Sequence, residues 1–331
     1  MKKIIVLLFA LITLYFSYET LEISPPAIPG GGAYLYSPQN NDNLEDTFVN
    51  AIHSAKTSIV LITYTFKSAK IIQALNDAAK RGVIVKAIFD AQASSDVSTK
   101  LSPRILAIPR GMEGLMHLKF LIIDNHQTWL GSANITRESL KSHANLVASL
   151  DSEEFANIVL QKAYQIIHRT FEKPIPVQIF KAADQTIELR FLPDDTEAIA
   201  RIKELMRQAK KIIRVAMFTF TREDLADALV HAKNRGVKVE VVLEMSATKK
   251  TNSKIALLLR KNGISVFEKN TGGLMHNKFM LVDDDVLEHG SANWTQAAFR
   301  KNDDYIMIIS GLSPEQRTIL NKVWKALIAS N

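Results

Sequence analysis

The amino-acid sequence predicts an α/β protein made of two tandem copies of one unit. Its 331 residues are enough for two domains of roughly 150 residues each. Three short matches recur 154 residues further along the chain, which indicates an internal repeat. The matches are Ala55-Lys56 with Ala209-Lys210, Thr65-Phe66 with Thr219-Phe220, and Arg81-Gly82-Val83 with Arg235-Gly236-Val237. Helix and strand patterns alternate within each copy, as in layered α/β folds.

In the first copy this alternation begins at residue 44. Apolar residues at helical spacing cover 44–55, and β-branched and aromatic residues over 58–66 predict a strand. A second helix is predicted over 69–81 and ends before Gly82. The continuous apolar run 83–89 is typical of a strand that is buried on both faces.

The second copy repeats this order with a small insertion. Its predicted elements are helix 202–210, strand 212–220, helix 222–235 and strand 237–243. The later match of Gly114-Leu115-Met116-His117 with Gly273-Leu274-Met275-His276 has an offset of 159 residues instead of 154. The second copy therefore carries five additional residues between 244 and 272.

Each copy closes with a predicted helix. In the second copy the capping sequence Ser313-Pro314-Glu315-Gln316 starts a helix that continues through Trp324. The counterpart in the first copy is predicted at about 153–168. The segment that follows, 172–185, contains two prolines and is the predicted connector between the halves.

A basic and apolar leader precedes the repeat. Lys2-Lys3 is followed by an apolar run over 4–16, which is shorter than the ~20 residues that a membrane-spanning helix needs. We predict an export signal that makes the protein periplasmic, secreted or membrane-anchored, with an uncleaved anchor as the alternative. The predicted organisation is signal peptide or membrane anchor 1–18, Pro/Gly linker 19–32, first half 33–171, connector 172–185 and second half 186–331.

Composition and charge exclude several classes of protein. The 47% apolar and 23% charged residues are ordinary globular usage and exclude a disordered or collagen-like chain. The absence of cysteine excludes disulfides, thiolate zinc sites and a cysteine nucleophile. The net charge of +7 suits an anionic partner, either a phospholipid surface or nucleic acid, and suits simple solubility equally well.

Each copy carries the same six residues at the same spacing. They are His117, Lys119, Asp124, Gly131, Ser132 and Asn134 in the first copy, and His276, Lys278, Asp283, Gly290, Ser291 and Asn293 in the second. The histidine and lysine lie two apart on a predicted strand, so their side chains project from the same face. Imidazole, ammonium, hydroxyl and amide groups that converge on one place make an anion site with an acid–base group in it.

The pattern HxK(x)4D(x)6GSxN resembles the signature of the phospholipase D superfamily, over roughly residues 33–331. The resemblance implies two phospholipase D-like α/β sandwich domains related by pseudo-twofold symmetry, with one active site where both motifs meet. It implies cleavage of a phosphodiester through a covalent phosphohistidine, with no metal and no other cofactor. Because one chain holds both half-sites, we expect a monomer without an obligate protein partner.

The resemblance also assigns roles to the motif residues. One histidine attacks phosphorus while the other moves the proton of the leaving group or of the incoming water. The expected phosphate contacts come from two lysines, two asparagines and two serines, namely Lys119, Lys278, Asn134, Asn293, Ser132 and Ser291. Asp124 and Asp283 are grouped with the catalytic residues, although their positions at turns also fit a structural role in bracing the return strand.

The two histidines are told apart by the residue 28 positions downstream of each. That residue is Asn145 in the first copy and Asp304 in the second. Family members often have an acid here that holds the partner motif's histidine. If the pairing crosses between halves, Asp304 orients His117 as the nucleophile and leaves His276 as the general acid–base. Asp303 is an alternative to Asp304, and the neutral Asn145 leaves the orientation of His276 open.

Residues outside the motifs give weaker signals. The other histidines have no metal-ligand spacing and are expected at the surface or in packing; they are His53, His126, His143, His168, His231 and His289. Trp129 is expected in the core, and Trp294 either in the core or at the pocket. The basic cluster at 249–261 favours a solvated helix face over a phosphate or headgroup contact.

The motifs do not distinguish the activities of this superfamily, which include phospholipases, nucleases and phosphatidyl transferases such as cardiolipin synthases. The leader places the protein near a membrane, so we expect phospholipase D-type hydrolysis with a phospholipid membrane surface as substrate. An exported endonuclease that cleaves DNA or RNA is the alternative, because a basic groove binds backbone phosphates. A phosphatidyl transferase is less favoured, since one apolar leader is present instead of two membrane spans. A catalytically inactive binding protein is disfavoured because both motifs are intact.

Overall fold

The computed structural model describes residues 32–111, 113–168, 174–269 and 273–329, which form two similar α/β halves. The first half contains a seven-stranded sheet in the order β1-β7-β6-β5-β2-β3-β4. Its strands are β1 (Tyr34–Tyr36), β2 (Ser58–Thr63), β3 (Ile84–Asp90), β4 (Leu106–Arg110), β5 (Lys119–Ile123), β6 (Gln127–Gly131) and β7 (Val147–Asp151). Its helices are α1 (Leu44–Ser54), α2 (Ala69–Lys80), α3 (Arg137–Lys141) and α4 (Glu153–His168), with a 3₁₀ turn at Pro38–Asn40.

The second half contains an eight-stranded sheet in the order β12-β11-β10-β13-β14-β15-β9-β8. Its strands are β8 (Gln178–Ala182), β9 (Gln185–Leu192), β10 (Ile212–Met217), β11 (Lys238–Glu244), β12 (Ser265–Lys269), β13 (Lys278–Val282), β14 (Val286–Gly290) and β15 (Asp304–Ser310). Its helices are α5 (Ala198–Gln208), α6 (Glu223–Asn234), α7 (Lys249–Lys261), α8 (Gln296–Arg300) and α9 (Pro314–Ile328). The predicted fold class is confirmed: seven strands of each sheet follow the same order, with β9 in the place of β1.

Two segments differ from the sequence-based expectation. The predicted connector 172–185 contains β8, which pairs antiparallel with β9 through a tight turn at Ala183, where φ is 55°. The apolar Phe180 on this strand is buried and anchors it to the core. The stretch that carries the five additional residues contains α7, where the first half has only turns over 91–102.

The predicted leader 1–18 and residues 19–31 of the predicted linker lie outside the described residues. Within the described ranges, no helix is both long enough and apolar enough to cross a membrane.

The two halves share one hydrophobic core between their sheets. Side chains from both halves belong to this layer, including Phe120 and Leu130 from the first and Phe279 and Tyr305 from the second. The rings of Phe120 and Tyr305 lie 4.5 Å apart. Separate outer cores lie under the helices of each half. The shared layer fixes one half against the other and therefore fixes the relative positions of the two motifs.

Candidate active site

Backbone hydrogen bonds between the halves bring the two motifs together. The residue before each motif histidine forms an isolated parallel bridge with the other half, Met116 with Asp303 and Met275 with Ala144. The His117 amide donates to the Asp303 carbonyl at 2.9 Å, and the equivalent bond from His276 to Ala144 is 2.8 Å. His117 therefore lies beside the segment that carries Asp304, and His276 lies beside the segment that carries Asn145.

Two buried carboxylates that sequence reasoning missed hold these strand starts in place. Asp90 ends β3, and its Oδ2 accepts the Met116 amide at 3.2 Å. Glu244 ends β11, and its Oε2 accepts the Met275 amide at 2.6 Å. The two acids are related by the 154-residue offset of the repeat, so an alignment of the two copies is the signal that finds them.

His117 is held by a carboxylate from the other half. Its Nδ1 lies 2.8 Å from Oδ1 of Asp304, and both side chains are buried. The same oxygen accepts the Ser291 hydroxyl at 2.5 Å. A carboxylate beside Nδ1 accepts a hydrogen bond from the N–H there and so keeps the ring proton on that nitrogen, which leaves Nε2 with the free lone pair that a nucleophile needs. The structure thus shows the crossed contact, and the nucleophilic role of His117 stays a prediction.

Burial and charge act in opposite directions at this pair. Burial lowers the pKa of His117 and outweighs the nearby Asp304, which acts to raise it. Burial by itself raises the pKa of Asp304, but the charge and hydrogen bond of His117, together with Lys119, bring it below its ordinary value. The pair is therefore a neutral imidazole next to an ionised carboxylate at neutral pH.

His276 has a neutral partner in the equivalent place. Its Nδ1 lies 3.1 Å from Oδ1 of Asn145. The Asn145 amide nitrogen donates to the Ser139 carbonyl at 2.7 Å, which turns its oxygen toward the imidazole. Ser132 donates to that same oxygen at 2.8 Å. The orientation of His276 is thus fixed by an acceptor that carries no charge and cannot stabilise an imidazolium as Asp304 can.

The motif lysines concentrate positive charge at the centre of the site. Lys119 Nζ donates to the His117 carbonyl at 2.6 Å, and Lys278 Nζ donates to the His276 carbonyl at 2.7 Å. Burial lowers the pKa of Lys119 to about 7. Burial, followed by repulsion from Lys119, lowers the pKa of Lys278 well below its ordinary value. Burial, followed by repulsion from the two lysines, also lowers the pKa of His276 well below its ordinary value. An anion between these groups relieves the repulsion, so the site is built to take one.

The motif serines, which the sequence groups with the phosphate contacts, hydrogen-bond to groups of the protein itself. Ser132 accepts the Leu146 amide at 3.1 Å and donates to Asn145, and Ser291 accepts the Tyr305 amide at 3.2 Å and donates to Asp304. Each hydroxyl therefore donates its single hydrogen within the protein. They position the residues that hold the two histidines.

The motif asparagines are partly exposed. Asn293 Oδ1 accepts the Thr219 amide at 3.2 Å, so its NH₂ group is turned the other way. The Oδ1 atom of Asn134 is buried without a hydrogen-bond partner. Their amide groups remain the candidates for hydrogen bonds to a phosphate.

The structure favours the structural role that the sequence allows for the motif aspartates over their grouping with the catalytic residues. Asp124 and Asp283 lie at the far ends of β5 and β13 from the histidines, at turns with φ of 52° and 53°. The Asp124 carboxylate accepts the amides of residues 56–58 at 2.7–3.1 Å, and Asp283 accepts those of residues 210–212. They therefore anchor the starts of β2 and β10, not the return strand, because the turn presents their oxygens to those amides.

The alternative acid Asp303 has another partner. Its Oδ2 lies 2.7 Å from Nη2 of Arg110, and both side chains are buried. This ion pair joins the halves next to the His117 backbone, and Asp304 alone of the two acids contacts the His117 ring.

An aromatic side chain lies beside each motif histidine. The Tyr64 ring lies 5.2 Å from that of His117, and the Phe218 ring lies 4.8 Å from that of His276. These two residues are again related by the 154-residue offset. Trp294, for which two places were expected, is fully buried in the core, as is Trp129.

Two of the remaining histidines are not fully exposed: one lies beside the motif residues and one lies in the core. The half-buried His143 lies with its ring 6.4 Å from that of His276. His289 is buried, and neither of its ring nitrogens has a hydrogen-bond partner. Among the described residues there is no cluster of three or more histidine, cysteine or acidic side chains that could hold a metal ion.

The fold and the paired motifs define a protein with two phospholipase D-like domains. A family model described as "Cardiolipin synthase, PLD-like domain" matches residues 48–167 and 202–325. The chain therefore belongs to this phospholipase D-like family.

Comparison with individual proteins agrees with this assignment. A protein named mitochondrial cardiolipin hydrolase from Xenopus tropicalis is 34% identical over 117 residues, which are 35% of this chain and 55% of that protein. A protein named phospholipase D from Rickettsia typhi is 28% identical over 130 residues, or 39% of this chain and 62% of that protein. The chain thus spans about half the length of the curated relatives it matches.

A solved structure extends the similarity of the fold over most of the chain. The phosphatidylserine synthase of Haemophilus influenzae superimposes with a TM-score of 0.67 and covers 89% of this chain and 84% of its own. Its sequence identity is 14%, so this similarity describes the fold alone.

Proposed function

We propose that this chain is a metal-independent phosphodiesterase of phospholipase D type that forms a phosphohistidine on His117. The observation that carries the proposal is that two otherwise equivalent histidines have chemically different hydrogen-bond partners at Nδ1. His117 has the carboxylate of Asp304 at 2.8 Å, whereas His276 has the neutral amide of Asn145 at 3.1 Å. A carboxylate stabilises the positive charge that develops on an attacking imidazole, and an amide does not.

In the first step, Nε2 of His117 attacks phosphorus and the bond from phosphorus to the leaving oxygen breaks. His276, protonated at Nε2, gives that proton to the leaving oxygen. Negative charge on the non-bridging oxygens is stabilised by Lys119 and Lys278. These two ammonium groups supply the charge that a metal ion supplies in other phosphodiesterases.

In the second step, water attacks the phosphohistidine from the side that the leaving group vacated. The bond from phosphorus to Nε2 of His117 breaks, and its electron pair returns to the imidazole. His276 takes the proton from the water and regains the form in which it began. The proton count of the site is therefore the same at the end of the cycle as at the start.

Substrate binding itself prepares His276 as an acid. Burial and the two lysines hold the pKa of His276 well below its ordinary value in the empty pocket. A phosphodiester anion placed between Lys119 and Lys278 offsets that repulsion and raises the pKa of both lysines and of His276. The general acid thus becomes protonated where and when a phosphate is bound.

We propose a phospholipid as the substrate and a membrane surface as its source. Relatives named mitochondrial cardiolipin hydrolase and phospholipase D support this class of substrate. The basic and apolar leader supports export and placement at a membrane. Because both half-sites come from one chain, we propose that a monomer is active.

The test uses the full chain in EDTA with phosphatidylcholine and cardiolipin vesicles, and with single- and double-stranded DNA in parallel. His117→Asn is the blank. Release of headgroup or phosphatidic acid that is absent in the variant supports the proposal. Cleavage of DNA alone replaces it with a nuclease, and transfer to an added alcohol without hydrolysis replaces it with a phosphatidyl transferase. No turnover of any of these substrates contradicts it.

A further inference from the structure

A third imidazole, that of His143, lies beside the candidate acid–base His276. Its ring is half-buried, and its centroid is 6.4 Å from that of His276 with a 47° tilt between the planes. The backbone brings it there, because the next residue, Ala144, accepts the His276 amide at 2.8 Å. The position of His143 is therefore a consequence of the bridge that joins the two halves.

The residue at the equivalent position in the other half has a different task. Asn302 is buried, its Oδ1 accepts the Leu115 amide at 3.1 Å, and its Nδ2 donates to Asp304 at 3.4 Å. The side chain of His143 makes no hydrogen bond within the part of the chain that the structure describes. Asn302 thus supports the residues around His117, whereas neither ring nitrogen of His143 has a hydrogen-bond partner among the described residues.

The separation of the two rings fits one bridging water. Two hydrogen bonds of about 2.8 Å each span a gap of up to about 5.5 Å between nitrogen atoms. A centroid separation of 6.4 Å allows nitrogen atoms of the two rings to come within that range. His276 uses Nδ1 for Asn145 at 3.1 Å, which leaves Nε2 for the reacting oxygen.

We propose that His143 orients the water that hydrolyses the phosphohistidine, by accepting a hydrogen bond from it. This inference rests on the proposed function. The water gives one proton to Nε2 of His276 and points its second hydrogen at His143, which aims a lone pair at phosphorus. The oxygen–phosphorus bond forms, the bond from phosphorus to His117 breaks, and its electron pair returns to that ring. His143 gains and loses no proton.

The charges around His143 keep its ring able to accept. Burial lowers the pKa of His143, and Lys278 on β13 acts in the same direction. Glu138 on α3 and Glu244 at the end of β11 oppose this shift, and the pKa remains below the ordinary value. The neighbouring His276 ring is neutral when the water arrives, because its proton has left with the first product. A neutral imidazole has the lone pair that this hydrogen bond needs.

This role predicts that His143 affects only one of the two chemical steps. The first step uses no water, so release of the leaving group does not require His143. The second step requires an aligned water, and misalignment slows attack on the phosphohistidine. Loss of the His143 nitrogens is therefore expected to slow turnover and to let the covalent intermediate accumulate.

The experiment uses the full chain with bis(p-nitrophenyl) phosphate, whose good leaving group makes the second step the slower one. His143→Phe keeps a ring without nitrogen, His143→Gln keeps a hydrogen-bonding amide, and the exposed His231→Gln is the matched control. Nitrophenolate release is followed by stopped flow. The fraction of covalent enzyme at steady state is measured by alkaline quench and intact mass.

The expected result is specific to the phenylalanine variant. Its first nitrophenolate appears at the wild-type rate, its turnover falls about tenfold or more, and its covalent fraction rises, while the other two variants stay within about threefold of wild type. Equal slowing of both steps, or no change in the phenylalanine variant, overturns the role of His143. Failure of the proposed function is a separate result, in which the wild-type chain itself forms no covalent enzyme.

Discussion

Asp304 of the second half lies 2.8 Å from the imidazole of His117 in the first half, and this contact breaks the symmetry of the site. The equivalent contact of His276 is with Asn145. The two halves otherwise repeat one arrangement of histidine, lysine, serine and asparagine. The charge of one residue pair therefore distinguishes two histidines that the fold presents in the same way.

Exchange of the aspartate at 304 with the asparagine at 145 is expected to exchange the roles of the two histidines. Asp304→Asn alone is expected to lower kcat by about 10²–10⁴-fold, because the imidazole loses its charged partner. The double variant with Asn145→Asp is expected to recover part of this loss and to carry the phosphoryl group on His276. Tryptic mapping of the trapped enzyme checks the site. A double variant that is still modified on His117 rules out control by this pair.

Anion binding is expected to weaken as pH rises through 7. The pKa of Lys119 is lowered to about 7 by burial, so the empty site loses this charge above pH 7. A bound anion favours protonated lysine, and binding at higher pH must take up a proton. The dissociation constant of diethyl phosphate, whose charge is constant in this range, is expected to rise by up to about tenfold per pH unit.

Calorimetry in two buffers of different ionisation enthalpy measures that proton uptake directly. Lys119→Met is expected to take up fewer protons than wild type at pH 8. An affinity that does not change between pH 6 and 9 contradicts the assignment of Lys119 to the anion.

The motif aspartates are expected to affect stability and not the chemical step. Asp124→Asn removes charge-assisted hydrogen bonds to three backbone amides and is expected to lower the free energy of unfolding by about 2–4 kcal/mol. The folded fraction is expected to keep the wild-type kcat. Asp96→Asn, at an exposed turn, is the control, and denaturant unfolding with activity measured on the folded enzyme checks both. A large fall in kcat with unchanged stability contradicts the structural role and indicates that Asp124 takes part in the chemical step.

His289 is expected to make the fold sensitive to acid. Burial lowers its pKa to about 4, from an ordinary value near 6.5. Between pH 6.5 and pH 4, His289 is protonated in the unfolded chain but neutral in the folded chain. The free energy of unfolding therefore falls as the pH drops through this range. His289→Leu, which copies the equivalent Leu130, is expected to gain on the order of 3 kcal/mol at pH 4 relative to wild type. Denaturant titrations at pH 4 and pH 8 measure this gain, and an equal gain at both pH values contradicts the linkage.

Much of the fold and the centre of the site are visible in the sequence because both depend on repetition. The offsets of 154 and 159 residues give two α/β halves, and the doubled motif gives His117, Lys119, His276 and Lys278. Counting 28 residues from His276 also reaches Asp304, which the structure places on His117.

The remaining parts depend on distances that the sequence does not record. Asp90 and Glu244 act by accepting backbone amides of the next motif strand, and their own neighbours in sequence do not show this. His143 reaches His276 only because a bridge joins the halves at Ala144. The motif places the two aspartates at turns, but it does not show that their carboxylates accept amides at the starts of β2 and β10.

The most direct test of the account is the identity of the modified residue in the wild-type enzyme. The full chain is reacted with bis(p-nitrophenyl) phosphate, quenched in alkali, which preserves phosphohistidine, and mapped by mass spectrometry. We expect the adduct on His117, its loss in His117→Asn, and its retention in His276→Asn, which cannot complete the cycle. An adduct on His276 in the wild-type chain, or no adduct on either histidine, contradicts the account.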